Sequence, residues 1–352
     1  MMTEIRIINP EVNADLEHFY AVGKAVRNSI AFQEIGWNDD HGLDQIIGES
    51  NLSLQLFTAK SNEGIGRIAA IKFDNQEEGI IGWYESADSQ SLSDSLMKAA
   101  IDFLKTCGCK KVIGPINGST WNNYRFNKTA EQPILPGEPF QPLYYIRLWE
   151  KYGFNEYSTY ETTLAPNDLF EPMTMDEGQE LAQQFNLKVV FYPTEPSSDF
   201  LDKMYDFYHA CFQSNPLFHP IDKEAYHKLS NKFAQILNAE HSLLVTDKED
   251  NPIAVTLTYN DVYHALYEEG KIKDQLHAKS RLLIKTIATH PDWQGKQIGT
   301  LMINLVHNLA NESGYEEIYH LLMFNNNLSA TKGKEKFVTK KVREYAIYTM
   351  DI

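Results

Sequence analysis

The fifteen residues Thr286 to Thr300 read Thr-Ile-Ala-Thr-His-Pro-Asp-Trp-Gln-Gly-Lys-Gln-Ile-Gly-Thr. An apolar strand pattern enters this stretch, a polar turn follows, and a helical pattern leaves it. The start of a helix exposes main-chain N–H groups that have no intrahelical acceptor, together with the positive end of the macrodipole. A diphosphate can bind there with few basic side chains. Gly295 and Gly299 would allow a close main-chain approach, and Lys296 could add one positive charge. Two glycines alone mark no more than a sharp turn; their place between a strand and a helix is what points to an anion site.

The elements that must hold this turn are legible on either side. Leu282 to Ala288 reads as the entering strand, and Ile298, Leu301, Met302, Leu305, Val306 and Leu309 recur at the spacing of a helix with one buried face, closed by Gly314. A further strand, Glu317 to Phe324, runs into Asn325–Asn327. The same order occurs earlier: Ile80 to Tyr84, then Leu96, Met97, Ala100, Ile101 and Leu104, then Gly108, then Lys111 to Ile116 running into Asn117. Hairpins precede both sets, Leu52–Lys60 with Ile65–Phe73, and His241–Lys248 with Ile253–Tyr259, each with Thr-x-Lys before its turn. This diffuse repeat predicts an α/β chain of two tandem domains, each a mixed twisted sheet flanked by helices. The expected boundaries are 1–165, a crossing segment 166–186, and 187–352.

Composition narrows the function classes. The chain has 352 residues, 43% of them hydrophobic and 23% charged, which is globular usage. A formal charge of −16 repels phosphate backbones and anionic lipid, so neither nucleic acid nor membrane is expected as a partner. No long uncharged apolar run and no signal-peptide pattern after Met1 lead to a cytoplasmic expectation. Cys107, Cys109 and Cys211 are too few for a disulfide framework, and Cys107-Gly108-Cys109 reads as two thiols around a helix-ending glycine. His209, His219 and His227 are too loosely spaced for a metal site, so no metal is expected.

The 294–299 segment resembles the pyrophosphate loop of the GNAT acyltransferases, a pattern of Gln or Arg, two residues, Gly, one residue, then Gly or Ala. Gln294 matches its first position and Gly299 its last, while Gln297 stands where the middle glycine would be; negative φ there would tolerate it. The resemblance extends through the helix, the strand Glu317–Phe324 and the strand Arg343–Tyr348. It implies acetyl-CoA or another acyl-CoA as co-substrate, held by Gln294, Gly295, Lys296, Gln297, Ile298, Gly299 and Thr300, with pantetheine amides pairing to main-chain groups of Ile287 and Thr289 and with Asn325 or Asn326 beside the cofactor arm. In the first half, Leu148-Trp149-Glu150-Lys151-Tyr152-Gly153-Phe154 is similar to a late helix end of the same family. Yet the loop Glu85–Asp94 carries Glu85, Asp88 and Asp94 and no glycine where phosphates would sit. A tandem GNAT of a bacterial branch, with one working cofactor loop, is therefore implied.

Acyl transfer to an amine needs a group to take the amine proton and another to protonate the departing thiolate. The strand Arg281–Ile287 has no acid, and the family's late tyrosine position falls near Lys332 or Gly333. Substitutes are Tyr345 and Tyr348 on the last strand, which equally fit a core, and His264 in the acidic segment 261–280. The resemblance implies an N-acyltransferase for a small amine or amino-acid-like acceptor between the two domains, in a monomer or homodimer. The run Asn117 to Phe126, with Trp121, Asn122, Asn123, Tyr124 and Arg125, suits a small polar ligand. A non-catalytic acyl-CoA sensor and a Fem-type aminoacyl transferase are the other readings; an intact loop and an acidic surface count against the second.

Overall fold

The apolar stripe that spacing assigns to a helix is met in both halves by a sheet led by a hairpin. The structure, a computed structural model, describes residues 3–28, 40, 42–129, 135–166, 172–215, 217–263, 281–325 and 340–352. The chain divides into two compact units, one of Met1–Glu131, Pro139–Tyr160 and Glu344–Ile352, the other of Gln132–Glu138 and Glu161–Arg343.

The first unit contains β1 (Glu4–Ile8), α1 (Asn13–Asn28), α2 (Leu43–Gly48), β2 (Leu52–Ser61), β3 (Gly64–Phe73), β4 (Gly79–Ser86), α3 (Gln90–Thr106), β5 (Lys111–Gly114), β6 (Phe126–Asn127), α4 (Tyr144–Tyr152) and the start of β7 (Asn155–Ala165). Strands β1 to β4 pair antiparallel in sequence order, and β4 pairs parallel with β5. Helix α3 starts where Ser89 accepts a hydrogen bond from the Leu92 amide and ends at Gly108, whose φ of 83° favours glycine. Its buried face, Leu92, Leu96, Met97, Ala100, Ile101 and Leu104, packs with Phe57, Ile68 and Ile81 of the sheet. Each fully buried leucine contributes about 2 kcal/mol.

The second unit contains the end of β7, then α5 (Met175–Gln183), β8 (Lys188–Phe191), α6 (Ser198–Phe212), α7 (Lys223–Ala234), β9 (Leu243–Thr246), β10 (Pro252–Asn260), β11 (Arg281–Thr289), α8 (Ile298–Glu312), β12 (Glu317–Phe324) and the start of β13 (Lys340–Asp351). Pairing runs antiparallel from β8 to β11 and parallel from β11 to β12. Helix α8 buries Ile298, Leu301, Met302, Leu305, Val306 and Ala310 in a core shared with Leu243, Val245, Leu282 and Ile284. The two units thus repeat hairpin, strand, helix and parallel strand in one order, as the sequence expects. Residues read as a crossing segment supply α5 to the second unit, begun by a capping box between Thr174 and Glu177.

The final strand departs from the expected boundary. Tyr348 to Asp351 pair antiparallel with Gly114 to Lys111 of β5, and Tyr345 and Ala346 pair with β6. Glu344–Ile352 therefore belongs with the first unit and not with the 187–352 domain. Tyr348 packs there against Phe126, at 5.9 Å between ring centroids, and against Trp149, at 6.5 Å. Ending the chain after Arg343 should expose this core and the β5 edge. The measurement is near-UV circular dichroism: the truncated chain is expected to lose the cooperative transition that the aromatic cluster around Trp149 reports.

Behind α8 the imidazoles of His307 and His320 meet at 2.9 Å between their Nε2 atoms, both buried. Such a contact requires one ring to donate and the other to accept, so the accepting ring at least is neutral. Burial pushes His320 down to about 4, and burial followed by the charge of His320 pushes His307 lower still. A histidine lowered in the folded state contributes stability above its unfolded value, near 6.5, and loses it as pH falls. The denaturant midpoint of the second unit should therefore drop steadily between pH 6.5 and about 4. A His307→Leu/His320→Leu double variant is expected to flatten that slope in urea titrations at several pH values.

Candidate functional site

The entry to α8 is shaped first by an irregularity in β11. Between Leu257 and Thr258 the β10–β11 register shifts, with Leu257 opposite Thr286 and Thr258 opposite Ile284, so Lys285 is an extra residue. A bulge of this kind bends a strand and raises its twist. Pairing with β12 stops at Ile284, opposite His320. Beyond it, residues 286–289 pair with β10 and, among the described residues, not with β12. The His290 amide donates to Ile253 O at 2.8 Å, which fixes the alternation of antiparallel hydrogen bonds. Ala288 and Thr286 then turn their main-chain groups toward β10, and Ile287 and Thr289 turn theirs toward the vacated side. Ile287 is 37% exposed.

After β11 a short 3-10 turn, Pro291–Trp293, and two residues with positive φ bring the chain to the helix: Gly295 at 78° and Gln297 at 63°. The negative φ expected for Gln297 is thus corrected. The left-handed conformation costs a side-chain-bearing residue about 1–2 kcal/mol. What the turn gains is an open helix entrance. Gln297 is the N-cap and makes no side-chain cap bond. The amides of Gly295, Lys296, Gln297, Ile298, Gly299 and Thr300 have no hydrogen-bond partner among the described residues, and the first that has one is Leu301, bonded to Gln297 O at 3.0 Å. The first turn of α8 carries no acidic residue. A Cβ on Gly299 would meet only Thr289 Oγ1, at 3.6 Å, so the site tolerates a small side chain there. The Lys296 ammonium lies 4.1 Å from the Trp293 ring centroid, which holds its charge beside the turn. Gln294 reaches back toward Thr289 O at 3.4 Å.

The equivalent place in the first unit is filled from within. Its β4 carries a bulge at the same point, with Trp83 at φ 42°, and pairs with β5 only through Gly79 and Ile80. There the Ile116 amide donates to Ile81 O at 2.8 Å, and the Trp83 amide donates to Asn117 Oδ1 at 2.7 Å. A Cβ on Gly82 would sit 2.1 Å from Ile116 O, so only glycine admits this close packing. At the head of α3, Ser89 caps the helix and the Glu63 carboxylate accepts hydrogen bonds from the Ser89 and Ser91 hydroxyls, which lower its pKa. Sequence placed Glu85, Asp88 and Asp94 in that role. Instead Glu85 is buried between Arg27 and Arg67, at 2.8 and 2.9 Å, Asp88 pairs with Arg147, and Asp94 accepts from Gln90. Glu63, on the β2–β3 turn, is the residue that sequence reasoning missed, because nothing local to α3 signals it.

The remaining predicted residues are dispersed. Asn325 follows β12 directly. Asn326 and His264 lie outside the described residues. Tyr345 and Tyr348 are completely buried in the first unit, where the Tyr348 hydroxyl donates to Glu150 Oε1 at 3.4 Å and burial raises its pKa. Both have the position of core side chains, the alternative that their spacing on a strand allowed. Among the described residues no group of three or more His, Cys, Asp or Glu is placed to hold a metal ion, and no helix is long and apolar enough to cross a membrane.

Comparison with known proteins bears on this geometry directly. Residues 201–332, which include β11, the open turn and α8, match the acetyltransferase (GNAT) family. Over these residues the second unit is similar to GNAT acetyltransferases. Solved structures extend the likeness of fold to the whole chain. A tandem GNAT protein from the clavulanic acid biosynthesis pathway superposes with a TM-score of 0.53 at 10% identity, covering 99% of this chain and 98% of that one. A conserved protein from Enterococcus faecalis V583, described as a probable N-acyltransferase, gives 0.54 at 9% identity over 100% and 73% of the two chains. Eis1 from Mycobacterium abscessus gives 0.52 at 9% over 99% and 74%. No curated protein matches the sequence. At these identities the superpositions establish a tandem GNAT fold.

The left-handed Gln297 at the head of α8 yields a direct expectation. Gln297→Gly should stabilise the second unit by about 1 kcal/mol in urea unfolding, because glycine adopts positive φ without steric cost.

Proposed function

We propose that this chain is an acyl-CoA-dependent N-acyltransferase in which the second unit holds the donor. The observation that carries the reading is the run of main-chain amides from Gly295 to Thr300 with no partner among the described residues, at the positive end of α8. In this reading the diphosphate accepts hydrogen bonds from those amides, with Lys296 adding charge. The pantetheine amides pair with the outward main-chain groups of Ile287 and Thr289, Gln294 closes the turn, and Asn325 lies toward the cofactor arm. The bound thioester supplies the acyl group, an acetyl group in the simplest case, and a small amine or amino-acid-like molecule accepts it. The protein's own share is to align the donor along β11 and hold its phosphates without neutralising them by many cations, which suits a chain of net charge −16.

A second reading, an acyl-CoA sensor without turnover, is favoured by a specific feature. Strand β11 carries no acid, and Tyr345 and Tyr348 are packed inside the first unit. Both readings share the same binding site.

Thermal unfolding with and without acetyl-CoA tests the shared part. A ligand at a hundredfold its Kd stabilises the folded state by about 2.7 kcal/mol, and a clear upward shift is expected for the native chain and for Gly299→Ala. Gly299→Glu, which aims a carboxylate at the free amides, should fold and lose the shift. Absence of any shift with acetyl-CoA and longer acyl-CoAs in the native chain would sink both readings. Release of free thiol with a panel of small amines then separates enzyme from sensor.

A further inference from the structure

In the first unit the segment after β5 folds back on itself, with the Asn117 amide donating to Asn123 O and the Arg125 amide to Pro115 O, each at 2.9 Å. This brings Arg125 inside. Its side chain is stacked over two rings, with Cζ 3.7 Å from the Tyr124 centroid and 4.1 Å from that of Tyr160, and the residue is only 5% exposed. Its Nε and Nη1 are buried and have no hydrogen-bond partner, and among the described residues no carboxylate pairs with it. A guanidinium withdrawn from water without a counter-charge is costly, and two aromatic faces replace only part of its hydration. Arg125 lines a small cavity of about 30 Å³, and the residues around it are aromatic, proline and amide side chains, Asn117, Asn123 and Gln141 among them, with no acid. The amides are already oriented: Asn117 Oδ1 accepts from the Trp83 amide, and Gln141 exchanges two hydrogen bonds with the Asn127 main chain, at 3.0 and 2.7 Å.

We propose that this cavity is a binding site for a small carboxylate, with Arg125 as its counter-charge. A void of this size admits a small planar group beside the guanidinium. The planar guanidinium donates to carboxylate oxygens with charge-assisted bonds, and the stacked tyrosines keep its plane fixed. The site lies wholly within the first unit and is independent of the acyl-CoA reading, so either can fail alone.

The test uses the full chain with acetate as the probe and chloride and inorganic phosphate at equal ionic strength as comparisons. Acetate is expected to raise the thermal midpoint of the native chain in a saturable manner, with chloride and phosphate giving only a shared ionic-strength response. Arg125→Met removes the buried charge while keeping a long apolar side chain. It should fold, unfold at a midpoint no lower than the ligand-free native chain, and lose the acetate response; Arg125→Lys should bind acetate at least about tenfold more weakly. An equal acetate response in native and Arg125→Met chains overturns the proposal, as does no acetate-specific response in the native chain. A stronger response to phosphate than to acetate overturns the carboxylate assignment. An Arg125→Met chain that unfolds well below the ligand-free native chain makes Arg125 a structural residue and likewise refutes it.

Discussion

A helix cannot satisfy its own first amides, and the form of each helix entrance follows from how the chain answers that deficit. Main-chain N–H groups left bare in a protein interior are expensive, so a helix entrance must be capped, solvated or occupied. The two units take opposite courses with the same architecture. At α3 a serine cap and the Glu63 carboxylate close the entrance. At α8 a glycine and a left-handed glutamine turn the chain so that no side chain caps it, and the entrance faces water. One copy is finished by its own side chains, while among the described residues the other is left uncapped.

The bulged strand works in concert with that entrance. In each unit an irregularity in the strand before the helix ends parallel pairing early and leaves main-chain groups facing a gap. Asn117 and Ile116 fill the gap in the first unit, where Gly82 lets the backbones meet. In the second, the pairing of β11 with β12 ends at Ile284 and, among the described residues, is not continued over 286–289. The closed helix entrance and the filled strand gap thus occur together in one copy, and the open entrance and the shortened pairing occur together in the other.

Much of this was legible in the residues. The helical stripes of α3 and α8, both hairpins and the glycines closing the helices follow from local patterns, since burial of one face imposes its period on the sequence. The open loop was legible because glycine, a helix start and a preceding strand are adjacent in the chain. What escaped was long-range. Glu63 reaches α3 from another turn, Arg125 becomes unpaired only once the loop folds over it, and the membership of Tyr345 and Tyr348 depends on which sheet the last strand joins. A one-residue bulge at Lys285 leaves no compositional trace at all.

The attachment of Glu344–Ile352 to the first unit sets an order of events on the ribosome. The segment that flanks β5 is translated after the entire second unit, so the amino-terminal half emerges with its aromatic core lacking one wall. Until those residues arrive, the β5 edge is an exposed template for any passing strand. Vectorial synthesis therefore completes the second unit before the first can close.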